Sequence, residues 1–383
     1  MRGYLFSLLS IVVLSILNGS CARPLSFRLN TEGRNPESIS PAQNEAITSV
    51  LFDFFGTPDE PVVPRGVRLS SESLRRAAGP VGRDLAGVER GLYRKYCAGC
   101  HGISGDGAGP FARLLNPYPR DFRRGVFKYT STVLGAKPTL KDLEKIVRNG
   151  MPGTGMPSYA MLSDGDIRDL CEYVKYLSIR GETELYLLRL TLDENELLPL
   201  DKQAVLEDGV QPIADSWELP ETEPEVWVVN PERPMLDNQG LQAAIERGRI
   251  LYREPRAQCV TCHGPEGRGD GEQTELYDDW NKAKKGVTEQ QTLELSRYFI
   301  LPLQKLRPRN FHAGVFHGGD APEDIYLRIH IGIKGTPMPA GGPAPGVSGV
   351  LTANEIWDLT FYILSLADKR PQDFAQVTNG KME

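Results

Sequence analysis

Cys97-Ala98-Gly99-Cys100-His101 and Cys259-Val260-Thr261-Cys262-His263 are two copies of a Cys-x-x-Cys-His pattern. The pattern suits one chemistry above others. Two thiols can add to the vinyl groups of a porphyrin, and the adjoining imidazole is then held beneath the iron, as at a c-type haem attachment site. Zinc is a poor fit, because a structural zinc site takes four ligands, usually from Cys-x-x-Cys pairs about 15–20 residues apart. Here the pairs start 162 positions apart (97 and 259), and each runs on into His-Gly. Of the six cysteines, four lie in these motifs, Cys21 ends an apolar leader, and Cys171 falls within a helical pattern as a small apolar residue. No disulfide framework follows from that distribution.

Aligning the two halves on these motifs exposes an internal duplication. Pro119-Arg120-Asp121-Phe122 and Gly125-Val126-Phe127 recur as Pro308-Arg309-Asn310-Phe311 and Gly314-Val315-Phe316. Asp142 and Asp324 each stand 14 residues before a methionine, Met156 or Met338, in a Gly-Thr-x-Met-Pro run. Each half closes on a helical pattern, Leu162–Leu177 and Leu351–Leu366, with Ser163 and Thr352 as N-caps. Asp166 makes a weaker capping box than Glu355. Shorter helices are expected before each attachment site, around Gly87–Tyr96 and Leu241–Tyr252, and a third pair at Asp142–Asn149 and Asp324–Ile331.

Each half resembles a small class I cytochrome c, over roughly residues 86–180 and 241–367. The resemblance implies an all-α fold class: tandem cytochrome c-like domains with an N-terminal extension and an extended acidic interdomain linker. It implies crossing first and last helices and a porphyrin that forms most of each core, since about 95 residues would otherwise make a modest one. It implies two covalently attached haem c groups, held by Cys97, Cys100 and His101 and by Cys259, Cys262 and His263. It also implies that a proline carbonyl receives the ligand imidazole's N–H. Pro110 matches that position, whereas Glu272 occupies it in the second half, where Pro302 or Pro308 are substitutes. The second half carries an insertion, Gln273–Leu306, whose Tyr298–Leu301 suggests an added helix over the haem edge.

Five histidines and seven methionines bound the choice of opposite ligand. The first half has no histidine besides His101, so Met156 is the expected partner there and Met338 its counterpart, thioether being a standard sixth ligand in electron-transfer cytochromes. Met161 reads as core, and Met151 has Ile333 as its counterpart. His312, His317 and His330 align with Arg123, Lys128 and Arg148, which suggests exposed cationic positions. Arg120 and Arg309 have two readings, a guanidinium fork on a haem propionate or a surface ion pair. Iron with His and Met ligands has no vacant position. The expectation is therefore an electron carrier, and the rival is a dihaem peroxidase-like enzyme, which needs one site that opens.

The leader has Arg2, an apolar run from Tyr4 to Leu17, and Gly19-Ser20-Cys21. It reads as a secretory signal, with three outcomes open: lipidation at Cys21, ordinary cleavage, or a retained anchor. Export to the periplasmic side of a bacterial membrane fits the haem reading. The expected division is 1–20 signal peptide, 21–64 N-terminal extension, 65–180 first domain, 181–237 acidic linker, 238–370 second domain and 371–383 tail. Net charge is −6 overall. Residues 65–180 hold 20 Lys/Arg against 11 Asp/Glu, residues 181–237 hold 3 against 15, and residues 238–370 hold 16 of each. A basic first domain suits docking on an acidic redox protein, such as an oxidase or a quinol-oxidising complex. Nothing in the motifs calls for nucleic acid.

Overall fold

The structure is a computed structural model that describes residues 25–31, 34–193, 199–280, 282, 288, 290–291, 294, 297 and 300–367. The expected signal peptide, Cys21, Tyr298, Phe299 and the 371–383 tail lie outside the described residues. Among the described residues the fold is all-α, apart from one two-stranded ribbon. No helix among the described residues is long and apolar enough to cross a membrane.

Helix α1 (Pro41–Phe55) begins where Ser40 and Gln43 satisfy each other's backbone N–H groups in a capping box, with Pro41 at the first turn. Ile47, Val50, Leu51 and Phe55 form its buried stripe, while Phe52 is left outside. The apolar end of this helix therefore packs back on the fold, against Tyr176, whose ring meets that of Phe55 edge-on at 5.9 Å. Helix α2 (Ser71–Ala77) follows, then the ribbon of β1 (Gly82–Arg83) and β2 (Glu89–Arg90), paired Gly82 to Arg90 and Arg83 to Glu89. Helix α3 (Leu92–Tyr96) runs into α4 (Ala98–His101), which carries the first attachment motif. Helices α5 (Leu140–Asn149) and α6 (Asp164–Leu188) complete the first domain's frame.

Two expectations change here. The helix expected from Gly87 shrinks to α3, because Gly87 and Gly91 adopt φ of +80° and +83° and the intervening Glu89-Arg90 is drawn into the ribbon. The acidic stretch after residue 180 is not extended over most of its length. Helix α6 continues to Leu188, and a second helical run from Lys202 ends as α7 (Gln211–Thr222). Apolar residues at helical intervals explain this: Leu187, Leu188, Val205, Val210, Ala214 and Trp217 are buried in the first core, while Glu207, Asp208, Asp215 and Glu221 stay exposed and Glu184 is buried against Arg180. Proline does not prevent it: Pro212 follows the wider π-helical turns of Val205–Val210, and Pro220 lies in the last turn of α7. The longest extended segment among the described residues runs from Val228 to Asp237 and lies along the first domain through Val229 N–H to the Ser131 carbonyl at 2.8 Å.

The second domain comprises α8 (Asn238–Arg253), α9 (Cys259–His263), α10 (Pro322–Ile331) and α11 (Ala353–Leu366). Helices α8 and α11 cross at Gly248, where a methyl group would run into the Asp358 carbonyl. Arg247 clamps the crossing by donating to both Asp358 carboxylate oxygens at 2.7 and 2.8 Å. Thr352 and Glu355 form a complete capping box on α11. On α6, Asp166 bonds the Ser163 hydroxyl and Arg76 but not the Ser163 N–H, so that box is half made.

The insertion joins the domains. Trp280 is buried near Ala112 and Leu301, its ring 6.2 Å from that of Tyr118. Gln304 accepts from Tyr118 N–H and donates to the Leu115 carbonyl, both at 3.1 Å. Ile300 and Leu301 lie outside any helix.

Candidate haem centres

The same local architecture is built twice. The ring of His101 stacks on Phe122 at 4.5 Å and that of His263 on Phe311 at 4.6 Å, with Phe127 and Phe316 stacked behind. After each motif a glycine-rich turn folds back: Gly107 N–H reaches the His101 carbonyl and Gly269 N–H the His263 carbonyl, both at 2.9 Å. Buried phenols pin these turns from below, Tyr93 on the Gly102 carbonyl at 2.9 Å and Tyr252 on the Gly264 carbonyl at 2.7 Å.

Each imidazole is oriented through Nδ1, which donates to a backbone carbonyl: Arg120 at 3.0 Å and Arg309 at 3.1 Å. A carbonyl can only accept, so the proton is on Nδ1 and the Nε2 lone pair is left for a metal. Burial keeps both rings neutral, pushing His101 down to about 4 and lowering His263. The acceptor is thus not Pro110. Folding of the turn onto the attachment helix, with Gly109 N–H on the Cys100 carbonyl at 2.9 Å, carries that proline to the surface. Glu272 in the second domain has no bearing on the bond, because the Pro-Arg-x-Phe arginines supply it in both.

The two methionine loops also match. Thr154 and Thr336 hydroxyls bond the carbonyls of Met151 and Ile333 at 2.8 and 2.7 Å and accept from the N–H of Met156 and Met338, each at 3.2 Å. The loop closes where Met151 N–H meets the Met156 carbonyl at 3.0 Å and Ile333 N–H the Met338 carbonyl at 3.2 Å. Gly150 and Gly332 allow this closure, with φ of +67° and +74° and no room for a Cβ beside the Met-Pro backbone. Met161, expected in the core, is instead exposed on the turn that precedes α6.

One cavity of about 1220 Å³ is lined by Cys97, Cys100, His101 and Met156 and also by Cys259, Cys262, His263 and Met338. It exceeds the range of about 300–1,000 Å³ that houses a single small ligand. Burial pushes the Cys97 thiol up to about 12 and Cys259 up to about 11, so both are neutral thiols on apolar walls. Arg120 and Arg309 line the same space, and Nη2 of Arg120 is buried without a hydrogen-bond partner. Thiols, a free imidazole lone pair, a thioether and an unsatisfied guanidinium are what a haem c requires of its pocket. Among the described residues no three His, Cys, Asp or Glu cluster as a separate metal site.

Residues that the duplication did not flag meet between the two clefts. Arg328 donates to the Thr130 and Lys128 carbonyls at 2.6 and 3.3 Å, and Lys334 donates to Thr132 Oγ1 and the Ala136 carbonyl at 2.6 and 2.8 Å. Asp278, Tyr129 and His317 stand among them. Of the spare histidines, only His312 is exposed; His317 lies half-buried in this seam and His330 is buried beside the Pro343 carbonyl. Their alignment with cations reported their place in the repeat and not what covers it: Tyr129 of the first domain for His317, and the second domain's own Gly342-Pro343 loop for His330.

A family model described as "Cytochrome C oxidase, cbb3-type, subunit III" matches residues 88–174, and one described as "Cytochrome c" matches residues 245–367. A chain of the Kuenenia stuttgartiensis reducing HAO-like protein complex Kustc0457/Kustc0458 is similar at 27% identity, over 72% of this chain and 93% of that one, with a TM-score of 0.48. No curated protein matches the sequence. Two cytochrome c domains in tandem, with a covalently bound haem c for each, make this chain a dihaem c-type cytochrome.

Proposed function

We propose that this chain is an exported electron carrier whose two haems are held at both faces by His and Met. Cys97, Cys100, His101 and Met156 serve the first, and Cys259, Cys262, His263 and Met338 the second, within domains spanning 65–180 and 238–370. Haem c between imidazole and thioether supplies one-electron exchange between Fe(II) and Fe(III) with little change in geometry, at a potential raised above that of bis-imidazole ligation. The residues do the rest. Arg120 and Arg309 carbonyls fix each imidazole's tautomer, Thr154 and Thr336 hold each methionine loop closed, and the arginine side chains balance the propionates.

The observation that carries this reading is the repeated methionine loop on the wall of the cavity that also holds both histidines. A filled sixth position gives peroxide or oxygen no seat, which favours a carrier over a peroxidase. Lipidation at Cys21 would tether the protein to the periplasmic face of a membrane beside a redox protein partner, an oxidase or a quinol-oxidising complex.

Pyridine haemochrome assay of the purified protein should give two haems per chain, and cyanide should bind neither rapidly. Met156→Ala and Met338→Ala should each open one haem to cyanide and lower one of two reduction potentials. Rapid cyanide or peroxide binding by the unmutated protein would overturn the carrier reading.

A further inference from the structure

The two Pro-Arg-x-Phe arginines are equivalents in sequence, yet they meet unequal surroundings across the seam. Beside Arg120 stands Asp278, a residue of the second domain's insertion that is 5% exposed. Its Oδ1 lies 2.7 Å from Lys128 Nζ and 3.8 Å from Arg120 Nη2 and takes no hydrogen bond, while Oδ2 accepts from Lys128 at 3.0 Å. Beside Arg309 stand His317 and, from the first domain, Tyr129, with the Arg328 guanidinium 5.3 Å over the Tyr129 ring. Arginine has only donors, so it gives a hydrogen bond to His317 Nε2; the imidazole is neutral, and its Nδ1–H faces Tyr129 Oη at 3.4 Å. Among the described residues no carboxylate pairs with Arg309. Among the described residues, Arg120 thus has a buried carboxylate beside it and Arg309 has none.

We propose that Asp278 is a tuning residue lent by the second domain, which lowers the reduction potential of the first domain's haem and so directs electrons from the first haem to the second. The inference rests on the two-haem carrier reading above. Its physics is Coulombic: a fixed carboxylate favours the more positive Fe(III) over Fe(II), and burial limits the screening. Asp278 acts one residue from the ligand, because Arg120 pairs with it through the guanidinium and holds His101 through the carbonyl.

Spectroelectrochemical titration of the holoprotein tests this. The measurement belongs at pH 6, because burial and Arg120 draw Lys128 down to about 8 and its charge must not change with it. Asp278→Asn keeps the side chain's shape and should move the lower of the two waves to more positive potential, leaving the upper wave in place. Arg120→Gln should move that same wave the opposite way, Arg309→Gln should move the other wave, and Asp278→Glu should restore the starting value. Two retained waves with no response to Asp278→Asn, equal movement of both, or movement of the wave that Arg309→Gln shifts would overturn this inference alone. Fewer than two waves in the unmutated protein would overturn the carrier reading and this inference with it.

Discussion

Tyr252 is buried at the base of the second site, where its hydroxyl bonds the Gly264 carbonyl and its ring meets Tyr362 at 5.4 Å. Tyr93 repeats the arrangement on Gly102 beside Tyr173. Truncation to Phe keeps the ring packing and deprives a buried carbonyl of its partner, a loss of about 1–3 kcal/mol. Tyr252→Phe should therefore lower the second domain's thermal transition in calorimetry while the visible spectrum stays nearly the same. An unchanged transition would mean that this bond does not hold the turn. The tyrosines could be seen in the sequence before each motif, but the carbonyls they serve could not. Arg120 and Arg309 teach the same lesson: repetition singled out their side chains, while their backbone oxygens orient the ligands. A main-chain acceptor leaves no trace in residue identity.

At the scale of elements, one tripeptide takes two forms. Glu246-Arg247-Gly248 lies inside α8, where the missing side chain lets α11 approach; Glu89-Arg90-Gly91 ends a strand and turns through a positive φ into α3. Gly248→Ala would press a methyl group onto the Asp358 backbone and separate the crossing helices. Overpacking of this kind costs about 1–3 kcal/mol or more. The expected result is a lower denaturant midpoint for the second domain, while Gly91, which serves as a cap, does not sit at a helix crossing. The repeated helices α6 and α11 were legible because caps and apolar periodicity agreed there; α5 and α10 were legible as a repeated pair, although α10 has Ala321 at its N-cap and so no side-chain cap. The run from Lys202 to Thr222 was not, since its carboxylates dominated the composition and hid an apolar stripe that includes Val210, Ala214 and Trp217. Met161 misled in the opposite direction. It sits just outside the periodic pattern of α6, in a turn that faces solvent.

For the molecule as a whole, the seam sets a buried Lys334 and a half-buried Arg328 against neutral acceptors. Lys334 donates only to a threonine hydroxyl and a carbonyl among its hydrogen-bond partners, and burial draws it down to about 7 from 10.5. Between those values the unfolded chain still holds a proton that the folded chain has released, so stability rises with pH across that window. The full effect is on the order of 5 kcal/mol by the usual conversion. Below pH 7 the folded state must keep a desolvated ammonium. Lys334→Met should remove this slope, and urea titrations at pH 6.5 and 9.5 should find the unmutated protein gaining on the variant at the higher value. Parallel behaviour would show that Lys334 is not charged against its surroundings as described.

A single chamber serves both attachment motifs, and this bears on how the protein matures. Each porphyrin has to be threaded between its thiols and its methionine loop while the polypeptide around it is open. The Arg328 and Lys334 hydrogen bonds hold the two halves together across that chamber. Loading one half alone would leave part of the shared cavity unfilled against its neighbour, so the two halves are expected to be completed together although their blueprints are separate copies.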